Sequence, residues 1–151
     1  MLSKYSKLTI VLCLILLAQL GNSQIFNSSV GVRVSPEKEV ALSAIIPLNK
    51  RHVLAGSIGQ FTPQPDFTIG ASVAYHRHFL LNEQQTFQAY IGAGITGVTG
   101  DETSLGVNGD LGIMYIFKKI DIGLDAYPTY FFDDVLKFRP MFALHLRWVN
   151  R

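Results

Sequence analysis

The sequence predicts an all-β chain: an eight-stranded antiparallel up-and-down transmembrane β-barrel, preceded by a cleaved signal peptide. Three observations carry that expectation. Apolar and polar residues alternate over nearly all of the chain beyond residue 23. Charged residues make up 16% of the sequence, well below the roughly 25% of soluble domains. No stretch beyond residue 23 is apolar over the roughly 20 residues that a spanning helix needs. A chain this apolar must place its surface somewhere, and alternating strands that turn one face to lipid do so.

Residues 1–23 read as the signal peptide and 24–151 as one barrel domain. Lys4 and Lys7 form a positive start, and Leu8 to Leu20 is almost continuously apolar. Gly21-Asn22-Ser23 then supplies small residues at the two positions a signal peptidase reads, which makes Gln24 the expected mature start. The apolar run is too short to span a bilayer as a helix. The one cysteine, Cys13, lies inside that run. The mature chain therefore has neither disulfides nor thiolate chemistry. Without Lys4 and Lys7, the 13 basic residues come level with the 11 acidic ones. A near-neutral chain offers no basic face for nucleic acid.

Eight strands account for the alternation. The first runs from about Ser29 to Ser35, with Val30, Val32 and Val34 on one face. The second, Glu39 to Leu48, shows Val40, Leu42, Ala44 and Ile46. A third, Val53 to Phe61, has no clear phase, and Pro63 and Pro65 mark the loop after it. Strand four, Phe67 to Leu80, sets Phe67, Ile69, Val73, Tyr75 and Phe79 against Ser72, His76 and His78. Strand five alternates from Phe87 to Ile95, and a polar loop spans Gly97 to Thr103. The sixth strand opposes Leu105, Leu111, Ile113, Tyr115 and Phe117 to Ser104, Asn108 and Asp110. In the seventh, Ile120, Ile122, Leu124 and Tyr130 face away from Asp121 and Asp125. The eighth sets Phe138, Phe142, Leu144, Leu146 and Trp148 against Arg139, His145 and Arg147. Segments of about ten residues with a period of two match membrane-spanning strands.

The character of the two faces decides the class. The polar face carries Gly, Ser, Thr, Asn, Asp and a few Arg and His, which suit a crowded interior. A soluble lipocalin-like carrier would show Lys and Glu on an outer face instead. Aromatic residues gather at both strand ends, as a lipid-interface girdle requires. Phe61, Phe67, Tyr130, Phe132 and Phe138 fall near one end. Phe79, Phe87, Tyr115, Phe117 and Trp148 fall near the other. A signal peptide leaves the mature start in the periplasm. Turns at Asn49, Asn82 and Lys118 are then expected there. Loops near Pro36, Pro63, Gly100 and Asp133 are expected outside.

From Val30 to Trp148 this pattern resembles the small outer-membrane β-barrel families of Gram-negative bacteria, of the OmpA/OmpX-like type. The resemblance implies a lipid bilayer as surroundings. It also implies assembly by the barrel-insertion machinery, which reads an aromatic-rich last strand. Phe138, Phe142 and Trp148 suit that role. Such families usually end on an aromatic residue, whereas Val149-Asn150-Arg151 follows Trp148 here.

An eight-stranded barrel is only wide enough to be filled by side chains, so no open pore is expected. Arg33, Asp110, Asp125 and Arg139 are expected on the filled face as a structural polar network, with Arg139 pairing the two carboxylates. His76 and His78 share a face, but no third ligand accompanies them, so no metal or cofactor is expected. No Ser/His/Asp order or glycine-elbow motif occurs. Pro128 and Pro140 fall in adjacent strands and keep a lipid-modifying enzyme, acting on lipid A acyl chains, as the alternative. Outer-membrane enzymes of that kind place their histidines toward the outer leaflet. His76, His78 and His145 belong to the periplasmic half. The expected protein is a non-enzymatic outer-membrane barrel with a structural or surface-interaction role. Its ligand is not legible.

Overall fold

A computed structural model describes residues 28–36, 39–60, 68–100, 103–132 and 137–150. The expected signal segment, Phe61, Phe67, the loop around Pro63 and the turn at Asp133-Asp134 lie outside the described residues. The described chain is all-β. Its strands are β1 (Ser29–Val34), β2 (Val40–Pro47), β3 (His52–Gln60), β4 (Ile69–Leu80) and β5 (Phe87–Thr99). They continue as β6 (Thr103–Phe117), β7 (Ile120–Ala126), β8 (Thr129–Phe131), β9 (Phe138–Arg139) and β10 (Phe142–Val149).

These ten segments form a closed antiparallel barrel of eight staves. Neighbours in sequence pair from β1 to β6, and β1 pairs with β10 to close the ring. β7 and β8 form one stave. Both face β6 in a single register, with Leu111 opposite Ala126 and Asn108 opposite Thr129. β9 and β10 form the last stave in the same way, with Arg139 opposite Thr129 and Phe142 opposite Ala126. The interruptions fall at Pro128 and Pro140, which that register sets on one rung. Proline has no N–H to give to a ladder, so regular pairing stops there. The rungs beside the gap hold. Tyr127 N donates to Met141 O at 2.8 Å, and Gly109 N donates to Pro128 O at 3.0 Å.

Ser28, Asn150 and three short turns occupy one end, called the near end. Asn49 organises the first turn, its side-chain oxygen accepting from Arg51 N at 3.0 Å and His52 N at 3.1 Å. Asn82 does the same in the second, accepting from Phe87 N at 3.0 Å. Lys118 and Lys119 make the third. At the far end, the hairpin between β5 and β6 is tighter than the predicted Gly97–Thr103 loop. Thr99 pairs with Thr103, and their hydroxyls meet at 3.1 Å, which carries β5 three residues farther.

Every stave alternates between an outer and an inner face. Val32, Leu42, Ile58, Val73, Ile95 and Leu111 are among many large apolar side chains exposed on the outside. The phase of β3, open in the sequence, is now fixed. Val53, Ala55, Ser57 and Gly59 point in, and Leu54 and Ile58 point out.

The interior is filled largely by side chains. At the near end Ile45, Val53, Tyr90 and Met114 form an apolar plug. Toward the far end Val98, Tyr127, Phe131, Met141 and Ala143 form a second. Inward glycines make room for rings in this narrow space. A Cβ on Gly123 would strike the His145 ring, and one on Gly112 would strike Tyr90.

Candidate functional site

The polar interior divides into three clusters. In the first, His145 lies on β10 with a carboxylate at each ring nitrogen. Its Nδ1 is 3.0 Å from Asp125 Oδ2, and its Nε2 is 3.0 Å from Asp121 Oδ1. As the imidazolium it would donate from Nδ1 to Asp125 and face Asp121 as an ion pair. His145 and Asp121 are wholly buried. Arg147 adds a second cation, 3.7 Å from Asp121 Oδ2, and its Nε donates to Ser43 Oγ at 2.6 Å. Ser29 donates to Asp121 Oδ2 at 3.1 Å and so ties the first stave to the seventh. Burying charges is costly unless they are paired, and here each has a partner of opposite sign, although His145 Nε2, Asp121 Oδ1 and Arg147 Nη1 make no hydrogen bond.

The second cluster centres on Asp110. His76 Nε2 approaches Asp110 Oδ2 at 2.8 Å, and Asn108 Nδ2 donates to Asp110 Oδ1 at 2.8 Å. Thr96 then donates to Asn108 at 2.9 Å. The Tyr90 ring stacks against both histidines, with centroids 4.8 Å from His76 and 5.0 Å from His78. His78 Nδ1 lies 3.2 Å from Gln88 Oε1. These two histidines are thus engaged by an aspartate, a glutamine and a ring. Among the described residues, no group of three or more His, Cys, Asp or Glu is placed to hold a metal ion.

The third cluster lies toward the far end. Arg33 donates to Glu39 Oε1 from Nη2 at 2.6 Å and from Nε at 3.1 Å. The Tyr127 hydroxyl donates to Glu39 Oε2. The Arg33 guanidinium sits 4.4 Å from the centre of the Tyr127 ring. Two cavities adjoin these clusters, and each gives about 20 Å³ to the centre of a water-sized sphere. That is room for about one water, not for a small-molecule ligand.

Of the four expected network residues, Arg33, Asp110 and Asp125 point into these clusters. The expected pairing by Arg139 does not form. The register puts Arg139 opposite Thr129, whereas Asp125 stands opposite Ala143, four residues farther along the last stave. Arg139 is only half-buried, and its Nε has no partner among the described residues. His76, His145 and Arg147 supply the cations instead. Sequence reasoning placed these three on the polar face but did not pair them. The missing signal was available in part. Asp121 and Asp125 share one face four residues apart, and His145 and Arg147 share one two residues apart, so two charged ladders face each other.

No nucleophile stands beside a base in these clusters. Ser29 bonds Asp121 rather than a histidine, and Ser43 bonds a guanidinium. The outer wall presents the expected aromatics. Phe79, Phe87, Tyr115, Phe117 and Trp148 are exposed toward the near end, and Tyr130, Phe132 and Phe138 toward the far end. Compared with known protein families, curated proteins and solved structures, the chain has no match.

Proposed function

We propose that this chain is an integral outer-membrane β-barrel protein of the small OmpA/OmpX-like kind, exported through a cleaved N-terminal signal. Its role is structural or one of surface interaction, with a filled interior and no enzymatic activity. Its partners are the lipid bilayer and, during assembly, the barrel-insertion machinery. One observation carries the reading: the closed ladder turns its apolar residues outward and its ion pairs inward. Contiguous apolar surface of this extent is rare on soluble monomers. A closed ladder also pairs backbone groups across strands without water, which a strand in hydrocarbon requires.

The lipid-modifying reading has one observation in its favour, the shared rung of Pro128 and Pro140. The histidines, buried and engaged by aspartates and a glutamine, weigh against it.

Cell fractionation tests the proposal. The protein is expected in the outer-membrane fraction and is expected to need detergent for extraction. The lipid A acyl pattern is expected to be the same with and without it. Release into the periplasm without detergent would favour a soluble carrier, and an altered acyl pattern would favour the enzyme.

A further inference from the structure

The near end carries a set of cations that the interior clusters do not use. Lys50, Arg51, Arg77, Lys118 and Lys119 are all exposed there. The three near-end turns contain a single acidic residue, Glu83. Three of the cations lie over outer-wall rings. Lys119 Nζ is 5.8 Å from the Trp148 ring centre, and Lys118 Nζ is 5.4 Å from that of Phe117. The Arg77 guanidinium is 5.4 Å from the Phe79 ring centre. Such contacts hold the charged heads at the level of the aromatic belt instead of leaving them free in solvent.

Lys118 adds an independent observation. Its φ is 56°, in the left-handed region where a residue with a Cβ is uncommon and glycine is at ease. Glycine would make the easier turn there. The lysine places a charge at the tip of the hairpin.

The cations spread over the staves from β3 to β7, more than half of the ring. Arg51 and Arg77 belong to the β3–β4 side, and Lys118 and Lys119 to the β6–β7 turn, with β5 between. A folded protein partner would meet one side of the barrel. A lipid leaflet surrounds it. We infer that this collar binds the phosphodiester headgroups of anionic glycerophospholipids in the leaflet met by the near end. The inference rests on the membrane reading above and adds which lipids the barrel holds.

The test uses the mature protein folded into vesicles of phosphatidylcholine and phosphatidylglycerol in equal amounts. Lipids retained after detergent extraction are counted by native mass spectrometry. Each cation near an anionic surface favours it by about fivefold. Retained phosphatidylglycerol is therefore expected to exceed phosphatidylcholine by about fivefold or more, and less so as salt is raised. Lys118→Gly is expected to lower the preference without loss of folded protein, because the turn gains the residue its φ suits. Arg77→Gln and Lys119→Gln added to it are expected to lower the ratio further, to what Lys50 and Arg51 still supply. Equal retention by the unaltered protein, or an unchanged preference in the triple variant, would overturn the inference alone. Protein that floats with neither lipid would overturn the membrane reading as well.

Discussion

Replacing His145 with leucine is expected to destabilise the barrel by about 3–5 kcal/mol, the range for removing one partner of a buried ion pair. His145 has an oxygen of Asp121 and one of Asp125 at 3.0 Å. Leucine fills much of the space but leaves both carboxylates without their shared cation. Arg147, at 3.7 Å from Asp121, does not replace it at Asp125. Urea unfolding of the refolded protein measures the loss. Asp125→Asn in the same chain is expected to recover part of it, since one of the stranded charges is then gone. A loss below about 1 kcal/mol would be the size of an exposed pair and would contradict the buried cluster.

The second large effect belongs to the wall. Ile113 is 44% exposed at mid-strand on β6, flanked by Ala89 and Leu124 on the neighbouring staves. Ile113→Lys is expected to cost about 2–4 kcal/mol for folding into a bilayer, the range for a lysine at the midplane of a lipid-facing wall. Ile120→Lys sits at the near-end rim beside Lys119, where the same substitution costs about 0–1 kcal/mol. Folding titrations in vesicles give both values. Equal, small costs at the two positions would mean that the outer face does not meet lipid.

The faces were legible because a period of two leaves no choice once one face is apolar. Val30, Val32 and Val34 on β1 and Ile120, Ile122 and Leu124 on β7 needed nothing beyond that rule. β3 was illegible for a physical reason. Val53 and Ala55 line the interior near the apolar plug, so both faces of that strand carry apolar or small residues. The broken staves were half legible. Pro128 and Pro140 were expected to be neighbours, and the register sets them on one rung. What alternation cannot supply is register across the ring. The bond from Ser29 to Asp121 joins residues 92 positions apart. Nothing local in the sequence announces it. The error over Arg139 has the same source. The face was predicted, but the partner depended on a register fixed by the whole ladder.

The most direct measurement is electrophoretic mobility of the membrane fraction in SDS, unheated against boiled. A closed ladder offers no edge for detergent to open at room temperature. Two positions are expected: a folded band before boiling and a displaced, unfolded band after it. A single position under both conditions, with the protein in the soluble fraction, would contradict a closed barrel whose apolar wall faces lipid.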